Sequence, residues 1–250
     1  MKTITKLFIY TLGIYFFGCS SDSSNSGNDE NNNNGDTPII IKYMTFMSDG
    51  DDSATISYSN GLINSFNDQG AKYNIVLNAE KKVTEATNQH GEKLTFLYSN
   101  GKLDKLIHSF TDGTPSWEDK FSYGSNGQII SIVENADDGY DESSYYTYDS
   151  SGNMITRQIG VSGSIYTFEF DNKNNPFYPI WKDFGFLIDL EDDVYDIVPM
   201  FSMHNPTKIY RNGELRLEVI YTYNSDGYPT VANYTNSSGG NGNVVYQYQN

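Results

Sequence analysis

The sequence predicts an all-β protein, a repetitive antiparallel meander forming a strongly curved sheet or partly closed barrel, with one irregular, short-helical insertion. Three observations predict it. Runs such as Tyr145-Tyr146-Thr147-Tyr148 carry the two-residue period of a pleated strand. Each run ends in turn chemistry, here Asp149-Ser150-Ser151-Gly152-Asn153, where Asp and Asn bond nearby backbone and glycine accepts positive φ. The unit recurs about every 20–26 residues, the signature of a repeat architecture. Composition agrees: 21 tyrosines and 14 phenylalanines suit strands rather than helices.

The first residues read as a targeting segment. Lys2 and Lys6 give a positive start, and Leu7 to Phe17 is an apolar run of about eleven residues, too short to span a bilayer. It ends at Gly18-Cys19. Residues 1–18 are therefore expected to be a signal peptide. Residues 19–37 lack apolar side chains after Cys19, cannot offset chain entropy, and are expected to be a disordered polar tether. A flexible coil of that length reaches about 20–25 Å. Residues 38–250 are expected to form one β-repeat domain, about 210 residues being enough for a core.

The repeats follow in order. Thr55 to Ile63 is strand, Asn60-Gly61 turn, strand; Asn-Gly tolerates the two positive φ values of a tight hairpin. Tyr73 to Glu85 is a weaker unit without glycine. Leu94 to Leu103, with Asn100-Gly101, repeats the first almost residue for residue. Lys120 to Ile130, Tyr145 to Ile155 and Tyr166 to Phe177 come next, and Val219 to Tyr228 and Val244 to Tyr248 close the chain. Ten to fourteen strands result, and a sheet that long is expected to curl so as to shield its apolar face and edges. Asp112 to Glu118 and Glu134 to Glu142 read as loops. An insertion at about 175–206 is apolar without alternation, expected to be irregular with one or two short helices, and placed to plug an open end or the concave face.

The chain carries 16 Lys and Arg against 32 Asp and Glu, a formal charge of -16. That argues against nucleic acid, which requires a basic footprint. A single cysteine, Cys19, removes any disulfide framework or cysteine zinc site. Carboxylates cluster at Asp49 to Asp52, Asp137 to Glu142 and Asp189 to Asp196, but none has the spacing of an EF-hand. His90, His108 and His204 are far apart and are expected at the surface or in turns. No nucleophile elbow, P-loop or dinucleotide fingerprint occurs. A glycosidase needs only two facing carboxylates, so that chemistry stays open, though no pair stands out in the sequence. The strand tyrosines are expected to pack across strands with hydroxyls reaching solvent. Trp117 and Trp181, expected in a loop and in the insertion, are the candidates for ligand contact.

Gly18-Cys19 after the apolar run resembles a bacterial lipobox, which implies acylation of Cys19 and anchoring to a membrane. Ser21-Asp22 resembles the surface-export signal of Bacteroidota lipoproteins. Tyr146 to Asn153 resembles the YD repeat of RHS-type proteins. The whole order, including Asp171 with Asn175-Pro176-Phe177 and Asn205-Pro206-Thr207-Lys208-Ile209, resembles Bacteroidota cell-envelope lipoproteins of unknown function with a porin-like β fold. The resemblance implies an outer-membrane location with a surface-exposed domain. The expected protein is a non-enzymatic monomer without cofactor that takes a glycan or extracellular protein ligand. Two alternatives remain: a polysaccharide-acting hydrolase, and a periplasm-facing structural or lipid-carrying protein. Lipid carriage requires an apolar concave face, and glycan binding requires aromatic residues among polar groups.

Overall fold

Fifteen strands follow one another in space as they do in sequence, each antiparallel to the next. The computed structural model describes residues 54–68, 71–136, 141–185 and 200–246; the proposed signal peptide, Cys19 and the tether lie outside them. The strands are β1 (Ala54–Ser59), β2 (Leu62–Asp68), β3 (Ala71–Leu77), β4 (Val83–Asn88), β5 (Lys93–Ser99), β6 (Lys102–Ser109), β7 (Pro115–Tyr123) and β8 (Ile129–Ala136). They continue as β9 (Asp141–Tyr148), β10 (Met154–Ile159), β11 (Ile165–Phe170), β12 (Pro206–Arg211), β13 (Glu214–Tyr223), β14 (Pro229–Asn236) and β15 (Asn241–Val245). The expected range of ten to fourteen is thus exceeded. The cause is that both presumed loops are mostly strand: β7 starts at Pro115, and only 137–140, outside the described residues, separates β8 from β9.

Two turn types build the hairpins. Asn60-Gly61, Asn100-Gly101 and Asn212-Gly213 carry φ values of 52° and 74°, 52° and 73°, and 53° and 83°, as the two-residue turn requires. The other type begins with Asn or Asp, whose Oδ1 accepts the N–H groups two and four residues on. Asn78, Asn88, Asp149, Asn224 and Asn236 all do this. In the first of these turns Lys81, at φ 63°, stands where the others have glycine, which is why that unit reads weakly in sequence.

Because the order is a simple meander, turns alternate between two rims. One rim carries the turns after odd-numbered strands, and all seven hairpins there share a feature. The second inward-facing end of each even strand is offset by one extra residue: Asn64, Thr84, Asp104, Ile130, Ile155, Thr207 and Thr230. Such a bulge bends the strand and increases its twist. It spaces the inward residues of even strands three apart, as in Ile63 and Phe66, Val83 and Ala86, Leu103 and Leu106, or Pro206 and Ile209, all buried. Seven successive bends on one rim curl the sheet, which stays open because β1 and β15 do not pair.

The inward face forms one continuous core from Ile56 on β1 to Tyr246 beyond β15. Each fully buried Leu, Ile or Phe contributes about 1.5–3 kcal/mol. The outer face is polar and carries ion pairs: Lys105 Nζ lies 2.7 Å from Glu118, Lys208 Nζ 3.6 Å from Glu169, and Lys93 pairs with Glu85. The strand tyrosines correct the expectation that their hydroxyls reach solvent. Tyr98 donates to the Val83 carbonyl at 2.8 Å, Tyr123 to that of Leu103 at 2.7 Å, and Tyr221 to that of Pro206 at 2.8 Å. Each acceptor is the first inward residue of the preceding strand. Tyr148 is an exception, its hydroxyl buried with no partner among the described residues.

The insertion between β11 and β12 fills the bulged rim. Its helix α1 (Tyr178–Phe184) has Pro179 in the first turn and ends at left-handed Gly185, whose N–H bonds the Trp181 carbonyl. Lys82, from the β3–β4 turn, donates to the carbonyls of Lys182 and Asp183 at 2.6 and 2.9 Å, satisfying the helix C-terminus. Phe184 packs on Tyr58 of β1, and Ile180 is wholly buried. On the far side Phe201 meets the ring of Tyr146, and Ser202 Oγ accepts the Met154 N–H at 2.9 Å. The segment therefore crosses the concavity from β9 and β10 to β1, β4 and β5, as a plug for an open end should.

Candidate functional site

At the rim opposite the plug, the inward face turns from apolar to polar. Register aligns Asp119 on β7 with Glu134 on β8, and Glu134 with Glu142 on β9. Arg157 on β10 faces Tyr146, and Tyr166 on β11 lies between Arg157 and Arg211. Directly opposed residues have Cβ atoms about 4.5–5.5 Å apart, so three carboxylates form a row across three strands, with a guanidinium at its end. Arg157 Nη2 lies 3.9 Å from Glu142 Oε1, and its Nε donates to Ser144 Oγ at 3.1 Å. The Arg211 guanidinium stands 5.8 Å over the Tyr166 ring, a cation–π distance. The side chains of Arg157 and Glu142 remain 21% and 30% exposed, so solvent enters this mouth.

Tyr146 reports the convergence of these charges. Burial raises its pKa most; Arg157 and the Ser144 hydrogen bond oppose this, while Asp119 and Glu142 reinforce it. A phenol in that position stays protonated at neutral pH and can act as a hydrogen-bond donor.

Trp117 belongs to strand β7, not to a loop, and is half-buried. One face of its indole stacks on His108 at 3.9 Å, and its N–H is buried with no partner among the described residues. It flanks the carboxylate row two residues before Asp119. His108 corrects the expectation of a surface histidine. It is 3% exposed on β6, and its Nδ1 bonds Ser116 Oγ, the bulged residue of β7. Burial lowers its pKa, with Glu92 pulling the other way. His90 is exposed in a turn, and His204 is half-buried, with Asn153 beside its Nδ1. Trp181 sits on α1 at the opposite rim, edge-on to Phe201 at 5.3 Å, so the two candidate tryptophans do not share a site.

Sequence reading therefore placed one residue of this mouth, Trp117, and missed the carboxylate row. The missed signal was symmetry: Glu134 and Glu142 lie equally far from the centre of a hairpin, which makes them cross-strand partners. Of the acidic runs, Asp49 to Asp52 and Asp189 to Asp196 lie outside the described residues. Among the described residues no group of three or more His, Cys, Asp or Glu is arranged to hold a metal ion.

No family model matches the chain, and no curated protein matches it in sequence. Among solved structures, a porin-like protein from Bacteroides uniformis is 13% identical with a TM-score of 0.57, over 83% of this chain and 96% of that one. The fold is porin-like. A porin-like protein from Bacteroides vulgatus is 12% identical over 87% of this chain and 90% of that one, with a TM-score of 0.32. The TcdB2-TccC3-Cdc42 complex matches 79% of this chain and 10% of that one at 13% identity and a TM-score of 0.29. Scores that low carry no argument. The likeness concerns backbone shape. A barrel that crosses a bilayer turns an apolar band outward and polar residues inward, and this sheet does the reverse, with ion pairs outside and the core inside.

Proposed function

We propose that the protein is a cell-envelope lipoprotein, anchored through lipid on Cys19 to the outer membrane and exposed at the surface, whose β domain binds a glycan and performs no catalysis. The carrying observation is the mouth opposite the plug, where Trp117, the row Asp119, Glu134 and Glu142, and the two arginines meet on one solvent-entered face. An aromatic ring beside several fixed hydrogen-bonding groups suits a sugar, whose ring faces are apolar and whose hydroxyls both donate and accept. The apolar half of the concavity is already filled by the chain's own insertion, which disfavours lipid carriage. The test is a glycan array followed by calorimetry on the Cys19→Ala chain. Trp117→Ala or Glu134→Gln should weaken a hit at least tenfold, and an unchanged affinity in both would remove the mouth from consideration. Anchoring is tested separately: Cys19→Ala should move the protein out of the membrane fraction, and protease added to intact cells should digest the wild-type domain.

The opposed carboxylates favour one second reading, a polysaccharide hydrolase, since facing acids about 5–10 Å apart are what glycoside cleavage needs. Release of reducing ends by wild-type protein, lost in Glu134→Gln and Glu142→Gln, would establish it over binding alone.

A further inference from the structure

The open edge of β1 has a candidate occupant within the chain. We propose that residues 38–47 form a further strand, antiparallel to β1, entering at the plugged rim and leaving at the mouth.

Three observations meet here. First, β1 pairs with β2 alone among the described residues, leaving one side of its backbone without a ladder; such an edge is a template for another strand. Second, Pro38-Ile39-Ile40-Ile41-Lys42-Tyr43 repeats the opening of two even strands, Pro206-Thr207-Lys208-Ile209-Tyr210-Arg211 and Pro229-Thr230-Val231-Ala232-Asn233-Tyr234. In both, the proline and the residue three later are buried, with the bulge between them. The same spacing turns Pro38, Ile41, Tyr43, Thr45 and Met47 inward and Lys42 outward, so no charge enters the core. Ser48-Asp49-Gly50-Asp51-Asp52-Ser53 then supplies turn residues before β1. Third, the Tyr58 hydroxyl is buried without a partner among the described residues. Tyr98 and Tyr123, at the same place in their units, donate to the first inward residue of the preceding strand, and Pro206 serves as such an acceptor for Tyr221. Pro38 would stand in that place for Tyr58.

The functional consequence rests on the lipid anchor proposed above. An even-type strand begins at the plugged rim, so the tether joins the domain there. The plugged rim then faces the membrane and the polar mouth faces away, towards a ligand in the surroundings.

Cysteine cross-linking tests the strand. In the Cys19→Ala chain, which holds no other cysteine, Ser57→Cys on the outer face of β1 is combined in turn with cysteine at each position from 40 to 46. Opposed residues of paired strands fall within the Cα separation a disulfide needs. Yield should alternate, several-fold higher at an even position such as Lys42 or Met44 than at Ile41, Tyr43 or Thr45. A flat profile, or a peak against Asn243→Cys on β15 instead of Ser57→Cys, would overturn the proposal. Amide exchange provides a second measurement free of cysteine. Deleting 38–47 should cost the β1 amides that point away from β2 at least tenfold in protection, and unchanged protection would refute the pairing. Both readouts are independent of acylation, so a failure of anchoring leaves them intact.

Discussion

Replacing Tyr98 by Phe removes one oxygen and keeps the ring. That oxygen donates at 2.8 Å to the carbonyl of Val83, a residue with no exposed surface. The carbonyl left behind is buried and loses its partner, which costs about 1–3 kcal/mol. In a domain of this size 1 kcal/mol moves Tm by about 2–4 °C, so Tm should fall by about 2–12 °C. Tyr123→Phe should behave alike, since its hydroxyl donates to Leu103, 1% exposed, at 2.7 Å. Tyr148→Phe is the internal control. It occupies the same place in its unit, but its hydroxyl is buried with no partner among the described residues. Removing an unpaired polar atom leaves stability unchanged or raises it by about 1 kcal/mol. Burial raises the pKa of all three phenols, so none is charged at neutral pH and charge does not confound the series. The assay is thermal and urea unfolding followed by circular dichroism on Cys19→Ala chains. A Tyr148→Phe loss as large as the other two would refute the reasoning, because stability would then track the repeat position rather than the hydrogen bond.

Two further outcomes follow from the same structure. Gly185→Ala places a Cβ 2.6 Å from the Tyr98 hydroxyl at a φ of 63°, and should cost about 1–3 kcal/mol; combined with Tyr98→Phe the cost should be less than the sum, and strict additivity would refute the contact. Burial lowers the pKa of His108 from its ordinary 6.5, so the unfolded chain binds that proton more readily than the folded one. Its contribution is full above about pH 6.5 and is lost as pH falls through 6.5 towards the folded value, with a slope of at most about 1.4 kcal/mol per pH unit. His108→Phe should flatten urea-measured stability between pH 7.5 and 5, and parallel curves would refute the assignment.

The fold was legible because its rules are local. Asn60-Gly61 and Asn100-Gly101 each fix a hairpin by backbone conformation alone, and Tyr145 to Asn153 announces strand, turn and return without reference to the rest of the chain. The bulges were not legible. Nothing about Thr84 or Ile130 distinguishes it in sequence, and each is recognised only once its strand is set against its neighbour. The same limit hid the mouth. Asp119, Glu134 and Glu142 are ordinary acids until cross-strand register brings them side by side. Trp117 was assigned to a loop because Thr111 to Pro115 is rich in turn residues. The Phe110–Thr114 turn ends where Pro115 begins β7, proline being tolerated at the first position of a strand.

The meander order also has a kinetic meaning. Every ladder joins neighbours in sequence, so each hairpin closes over a short loop and the sheet grows strand by strand in the order the chain emerges from a translocating pore. The insertion alone reaches back, from Lys182 and Asp183 to Lys82 on a turn a hundred residues earlier. It can dock only after ten strands have formed, which makes it the latch that converts a growing ribbon into a closed tertiary structure.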